Sequence, residues 1–203
     1  MSSDVHFILE AIPPGAGLVL DLGGGEGVLR QSLRERGYRY INLDIQRFEN
    51  REPSLLGDAH QLPFKDASLD KVVSKDTLEH FLAPFDVVGE VHRVLRDGGE
   101  FIIWVPFMHP FHGNDLYRYS PLGLRHLLRD FELLAFDSPL WVFTVVGHAA
   151  VEALKRLHLS FVEQPFERCC GLLDRLLMRS QRRPASFAAA YRIVACKRNE
   201  VKP

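Results

Sequence analysis

Three groups of side chains in this chain could do chemistry. His80 stands in Leu78-Glu79-His80, and the separate segment 108–120 holds His109, His112, Asp115, Tyr117, Arg118 and Tyr119. An imidazole titrates near neutral pH and can take a proton from a hydroxyl or an amine. A guanidinium can meet a carboxylate or phosphate through two parallel hydrogen bonds. The second group is carboxylates, Asp21, Asp44 and Asp58, the first two closing apolar runs. The third is the glycines at 23, 25 and 27, which follow Leu18-Val19-Leu20-Asp21 directly. Glycine has no Cβ and tolerates positive φ, so such a loop turns sharply and lets a ligand approach the backbone.

The elements needed to hold these groups alternate along the chain, which argues a parallel sheet with helices on both faces. A helix over Asp4–Ala11 ends at Pro13-Pro14-Gly15, and the first strand runs into Asp21. A helix over 28–36 follows the glycines, then a strand over Tyr40–Asp44 and a fourth strand over Ser68–Ser74. A short helix is predicted over Thr77–Leu82, interrupted by Pro84 before a helix over Phe85–Arg96 that Gly98-Gly99 stops. Glu100–Val105 is the fifth strand. Ser120-Pro121 starts a helix with an apolar face of Leu122, Leu124, Leu127 and Leu128. Strands over Phe131–Phe136 and Tyr191–Lys197 complete the set. The expectation is a single domain over 1–203: an N-terminal helix (1–14), a core that binds the cofactor (15–140), a helical insertion (141–188), and a last strand with a tail (189–203).

The glycine spacing separates two kinds of nucleotide site. A dinucleotide fingerprint places its third glycine so that a pyrophosphate rests on helix amides. Here that glycine comes one residue early, and the neighbouring acid would repel a diphosphate but suit a cationic ligand with an amino-acid end. Asp44, about 20 residues past the loop, stands where a carboxylate can grip both hydroxyls of a ribose, with Ile45 beside it. On these residues the chain resembles the class I S-adenosylmethionine-dependent methyltransferases of the small-molecule type ("methyltransferase domain 11"-like), whose first motif is [DE]-x-G-x-G-x-G. Gly57-Asp58-Ala59 with Leu62-Pro63-Phe64 matches the family's adenine-side segment. Leu69-Asp70-Lys71-Val72-Val73-Ser74 leading to Leu78-Glu79-His80 matches its fourth strand, with Leu69 in place of Phe. Glu90 to Gly99 matches its E-x-x-R-V-L-k-p-G-G run, with Asp97 in place of proline. The resemblance implies a Rossmann-like sheet of seven strands, mostly parallel with the last strand antiparallel, and S-adenosylmethionine as cofactor, leaving S-adenosylhomocysteine as product. It also implies cofactor contacts from Asp21, Gly23, Gly25, Gly27, Asp44, Ile45, Asp58, Ala59, Ser74 and Lys75.

Several of these residues have a plainer reading. Asp44 could simply end its strand, Asp58 could cap the turn before His60, and Glu90 and Arg93 could pair at helical spacing. The loop after the fifth strand resembles a subgroup with H-G-x-x-x-D-Y-y-R-[FY]-[ST]-P, from which Leu116 departs. The resemblance implies that Asp115, Tyr117 and Arg118 meet the substrate; alternatively Arg118 pairs with Asp115 and locks the loop, with Tyr117 and Tyr119 as packing residues. His109, His112 and Asp115 have metal-ligand spacing, but Pro110 and Gly113 make a loop rather than one helical face, so no metal is expected. A sulfonium methyl is already activated, so its transfer depends mostly on alignment. A hydroxyl acceptor also needs a base, for which the candidates are His80, then His112 and His109; otherwise His80 packs beneath the cofactor.

Twenty-five basic and 26 acidic residues in 203 leave no global field toward nucleic acid or anionic membrane. Cys169, Cys170 and Cys196 form no C-x-x-C pair, and no basic-then-apolar leader opens the chain, so a reducing cytoplasm is expected. Trp141 to Arg183 is far longer than a hairpin needs, and its helices could form a lid, a homodimer face or a membrane-surface patch, the last being disfavoured. Methylation of bases or glutamine is disfavoured because Ser74-Lys75-Asp76-Thr77 is not [DN]-P-P-[YF]. The expected substrate is a small-molecule or glycan-type acceptor. The rival from another class is a binding or partner subunit that kept the fold without catalysis.

Overall fold

The computed structural model describes residues 3–48, 55–111, 113–156, 163–177 and 186–198. Seven strands form one sheet: β1 (Leu18–Leu22), β2 (Arg39–Asp44), β3 (Leu55–Leu56), β4 (Leu69–Lys75), β5 (Leu95–Pro106), β6 (Phe131–Leu140) and β7 (Ala190–Lys197). Their order across the sheet is β3-β2-β1-β4-β5-β7-β6. β1 pairs in parallel with β2 and β4, and β4 with β5. β7 is antiparallel to both β5 and β6, as expected of the last strand.

Alternate residues of the central strands point to opposite faces, and each face has its own core. Leu20, Leu22, Val72, Phe101, Ile103 and Val105 pack on one side with α3 (Pro84–Val94) and α4 (Pro121–Leu127). Val19, Val73, Ile102 and Trp104 pack on the other with α1 (Ser3–Glu10) and α2 (Arg30–Glu35). Phe7 of α1 stacks on Trp104 with ring centroids 5.8 Å apart. Each fully buried leucine of this kind contributes about 1.5–3 kcal/mol relative to an exposed one, so the sheet is a rigid base for the loops at its edge.

Several expected boundaries move, each for a local reason. The helix after the glycines starts at Arg30 rather than 28, because Gly27 and Arg30 amides are first used in turns, donating to the Gly24 and Gly27 carbonyls. Thr77–Leu82 is not a helix but a single 3-10 turn, Leu78–His80. Pro84 opens α3 instead of interrupting a helix, since its ring suits a first helical position. α3 then ends at Val94, ahead of Gly98-Gly99: the Ala67 and Ser68 amides take the Arg93 and Val94 carbonyls, and Leu95 turns into β5. The glycines serve a bulge instead, where β5 steps from Leu95 opposite Leu69 to Glu100 opposite Lys71.

Between β6 and β7 lie α5 (Val142–Arg156) and α6 (Glu163–Leu177). Asp174 of α6, fully buried, accepts hydrogen bonds from the amides of Trp141, Phe143 and Thr144 and from the Thr144 hydroxyl. It thus caps α5 from a second helix, where a negative charge suits the helix dipole. The remainder of the expected insertion, residues 157–162 and 178–185, lies outside the described residues. No described helix is long and apolar enough to cross a membrane.

Candidate active site

The loops leaving β1, β2, β3 and β4 meet at one edge of the sheet, where a strand-order reversal in an open parallel sheet creates a crevice. The cradle is built from β2. Tyr40, Asn42 and Asp44 alternate along that strand, share a face, and all reach the first strand and its loop. The Tyr40 hydroxyl donates to Asp21 (2.6 Å), Asn42 donates to the Gly25 carbonyl (2.8 Å), and Asp44 accepts from the Gly25 amide (2.9 Å). Gly23 adopts φ +67°, and a Cβ there would lie 2.1 Å from the Thr77 methyl, so only glycine fits between the loops after β1 and β4. The Thr77 hydroxyl shares its proton between the Lys75 carbonyl (2.9 Å) and the Gly23 carbonyl (3.1 Å), and so links those loops. Gly27 closes the loop by donating to the Gly24 carbonyl.

Electrostatics differ among the acids. Burial pushes the Asp21 carboxyl up to about 6, against the Tyr40 hydrogen bond and the Lys75 charge, which favour ionisation. The Tyr40 hydroxyl is in turn raised, by burial first and then by Asp21. Asp58 is exposed; the His60 amide and then the His60 ring hold it below the usual carboxylate range. Asp44 also accepts from the Gln46 amide, and a carboxylate retains lone pairs for further donors. Beside it Ile45 is 68% exposed, an apolar side chain at the crevice edge. Ala59 is buried. The Ser74 hydroxyl is buried with no hydrogen-bond partner among the described residues. Lys75 is spoken for: burial works against its charge, but ion pairs to Asp76 (2.5 Å) and Asp4 of α1 (2.7 Å) outweigh that and raise it.

The neighbouring corner joins the turn after β4 to the loop after β5. His80 Nδ1 lies 3.3 Å from Asp115 Oδ1, and Asp115 Oδ2 lies 2.6 Å from Arg118 Nη2. The Leu116 and Tyr117 amides donate to the Glu79 carbonyl. The Tyr117 hydroxyl donates to the Leu82 carbonyl and the Tyr119 hydroxyl to that of Leu78, with the two rings stacked. Residues 115–119 are therefore laced onto residues 78–82. Glu79 is fully buried, its side chain makes no hydrogen bond among the described residues, and burial pushes it up to about 8. Single ligand atoms from Glu79, His80 and Asp115 fall within 4.8 Å of one another, close enough to surround a cation. Arg118 already supplies positive charge to Asp115 there.

The expected residues thus divide. Asp21, Gly23, Gly25, Gly27, Asp44, Ile45, Asp58, Ala59, Ser74 and Lys75 line one sheet edge, with His80, Asp115, Tyr117 and Arg118 alongside. His109 is turned elsewhere: its ring packs edge-on against His148 of α5, centroids 4.4 Å apart, while its carbonyl faces Arg118 at 3.4 Å. His112 lies outside the described residues. Sequence reading missed Tyr40, Asn42, Thr77 and Glu79. For the first two a signal existed, polar residues every second position in a strand that is otherwise buried.

Comparison with known proteins accords with this architecture. Residues 20–103 match the family model described as a methyltransferase domain. The chain is 30% identical over 137 residues to an uncharacterized methyltransferase of Mycobacterium sp. (strain JLS), covering 63% of this chain and 52% of the relative. It therefore spans about half the length of the curated relatives it matches. In fold it is similar to a chain from the complex between the Haloferax volcanii Trm112 methyltransferase activator and a methyltransferase, at 20% identity, covering 96% of this chain and 88% of that one, with a TM-score of 0.64. It is likewise similar to phosphoethanolamine N-methyltransferase 2 of Haemonchus contortus, in complex with phosphomonomethylethanolamine and S-adenosylhomocysteine, at 16% identity, covering 96% and 52%, with a TM-score of 0.62. Residues 20–103 thus resemble a methyltransferase domain, and the seven-stranded sheet that carries them has the fold of these solved methyltransferase chains.

Proposed function

We propose that the protein transfers a methyl group from S-adenosylmethionine to a hydroxyl of a small-molecule or glycan-type acceptor, with His80 as general base. The observation that carries this reading is the convergence, at one sheet edge, of a carboxylate-flanked glycine loop with an imidazole whose other nitrogen faces an acid. The residues suit the cofactor. Asp44 has lone pairs to spare for ribose hydroxyls, Ile45 offers an apolar face to adenine, and Asp58 can accept from an exocyclic amine with Ala59 beneath it. The buried Ser74 hydroxyl and the Gly23–Gly27 backbone are left for the amino-acid end, next to Asp21. Lys75 acts through α1, which its ion pair with Asp4 pins near the crevice.

S-adenosylmethionine supplies an activated methyl on its sulfonium sulfur and departs as the neutral thioether S-adenosylhomocysteine. The chain's own part is alignment and one proton. His80 Nε2 accepts the acceptor hydroxyl's proton as the oxygen–methyl bond forms and the sulfur–methyl bond breaks, then returns it to solvent. Such positioning is where most of the acceleration of a displacement between two bound groups arises. The near-balanced charge of the whole sequence favours a small acceptor over nucleic acid.

Calorimetric titration with S-adenosylmethionine and S-adenosylhomocysteine tests the cofactor half. Micromolar binding is expected, weakened about 10- to 150-fold by Asp44→Ala through loss of charge-assisted hydrogen bonds. No binding of either compound would end the enzyme reading and leave a partner-binding role.

A further inference from the structure

Asp115 and Arg118 have the residue types of substrate ligands, yet their surroundings fit another task. The Asp115 side chain is 1% exposed and that of Arg118 is 17% exposed, against 34% for His80. A group so deeply covered is poorly placed to meet an incoming acceptor. Asp115 Oδ2 accepts from Arg118 at 2.6 Å, while the buried Oδ1 makes no hydrogen bond among the described residues and lies 3.3 Å from His80 Nδ1. Arg118 Nη2 is held in turn by the carbonyls of His109 and Pro110, each at 3.4 Å. His80 itself is fixed by its backbone: its amide donates to the Thr77 carbonyl, and the Thr77 hydroxyl is shared between the Lys75 and Gly23 carbonyls. The imidazole is thereby connected through one residue to the glycine loop.

We propose that Asp115 is a positioning residue for His80, receiving Nδ1–H so that Nε2 is left bare to accept a proton, with Arg118 holding the carboxylate in place. This rests on the reading of His80 as the base. The two ring nitrogens of histidine are distinct, and the hydrogen bond made by one sets the protonation of the other. A base oriented by a third group is the arrangement that serine hydrolases use on unrelated folds. The other charged groups around the ring fit this assignment. Glu79 Oε1 is 3.9 Å from Nε2, beyond hydrogen-bond reach, so that nitrogen keeps its lone pair. Asp76 acts on Glu79 through space, as do Asp115 and Arg118. At 3.3 Å the two atoms are near but not aligned for a hydrogen bond, as is common in unliganded sites, where such bonds are poorly aligned and tighten on substrate binding.

The test needs neither acceptor nor cofactor. In protein labelled with nitrogen-15 at histidine, two-bond proton–nitrogen spectra report which ring nitrogen carries the hydrogen, and the His80 signals are those missing in His80→Gln. At a pH where the ring is neutral, His80 is expected as the Nδ1–H form in the unmodified protein and in Arg118→Gln. In Asp115→Ala it is expected to go over to Nε2–H, with S-adenosylhomocysteine affinity unchanged. An Nε2–H form in the unmodified protein overturns the proposal even if Asp115→Ala fails to fold, and so does an unaltered tautomer in a folded Asp115→Ala. Zinc ions that shift the His80 signals in the unmodified protein but not in Asp115→Ala would make the trio a metal site and also overturn it. Absent cofactor binding with the tautomer as expected would sink the methyltransferase reading alone.

Discussion

The cofactor corner and the acceptor corner share one sheet edge but differ in how their polar groups are satisfied. Around the glycine loop, Tyr40, Asn42, Asp44 and Asp21 each make at least one hydrogen bond, although Asp21 Oδ1, Asn42 Oδ1 and the Ser74 hydroxyl are buried with no hydrogen-bond partner among the described residues. Thirty-odd residues further on, the side chain of Glu79 is fully buried and, among the described residues, neither of its oxygens makes a hydrogen bond; one Arg118 nitrogen is likewise buried without a hydrogen-bond partner among them. A buried polar group left unpaired costs about 1–3 kcal/mol. The contrast separates two kinds of demand. A binding cradle gains from having each of its side chains anchored by one bond while other polar atoms stay open to a ligand, because preorganisation spares ordering on binding. A corner that handles protons instead keeps groups whose charge state is easily changed, and local rules are commonly broken at such sites.

The sharpest break between the corners is expected at His80. His80→Gln should lower turnover by about 10²- to 10⁴-fold, the usual contribution of a general base, while leaving S-adenosylmethionine affinity nearly intact. Single-turnover kinetics on an acceptor, set beside a calorimetric titration of the same variant, measures both. Equal turnover in the variant and the parent would remove His80 as the base and reduce that corner to a packing element.

The two corners were also unequally legible. The first could be read because its parts are local: an apolar run, an acid, three glycines and a second acid follow at spacings that strand geometry imposes. Even there only Asp44 stood out, although Tyr40 and Asn42 share its face by the two-residue period of a strand. The helices on both faces followed from the alternation of elements and the antiparallel β7 from the resemblance, whereas the order of strands across the sheet comes from the structure. The second corner depends on contacts across some 35 residues, from Glu79 and His80 to Asp115 and Arg118. No periodicity links those segments. The chain showed their residue types but not that the acid faces the imidazole or that His109 turns toward α5. Boundaries moved for the same reason: α3 ends where the Ala67 and Ser68 amides capture its last carbonyls, a contact between distant residues.

A pH series sharpens the contrast from the acceptor side. Burial lifts Glu79 from 4.5 to about 8 in the folded chain. Between those values the unfolded chain releases this proton and the folded chain keeps it, so stability falls as pH rises through that window. Glu79→Gln cannot ionise, so the variant should overtake the parent with rising pH, by on the order of 2 kcal/mol at pH 8 once its own buried amide is allowed for. Denaturant midpoints at pH 5 and pH 8 measure this. Parallel loss in both proteins across the window would mean that Glu79 has found a partner and that the acceptor corner is as settled as the other.

The narrowest change is in the cradle, where Tyr40→Phe removes a single hydroxyl. That hydroxyl donates to Asp21, whose carboxyl burial pushes up to about 6. Above that value Asp21 is ionised and the bond is charge-assisted; below it the carboxyl is neutral and the bond is weaker. The substitution should therefore cost about 1.5–3 kcal/mol of stability at pH 8 and about 0.5–1.5 kcal/mol at pH 5. The remaining carboxylate has nowhere to turn, since the space beside it is closed: a Cβ on Gly24 would lie 2.5 Å from both Asp21 and Asn42. Gly25 should keep its bonds to Asn42 and Asp44, so cofactor affinity should fall far less than in Asp44→Ala. A pH-independent loss would mean that Asp21 does not titrate in this range. A collapse of cofactor binding would mean that the cradle is one cooperative unit, in which Asp21 supports the loop as directly as Asp44 does.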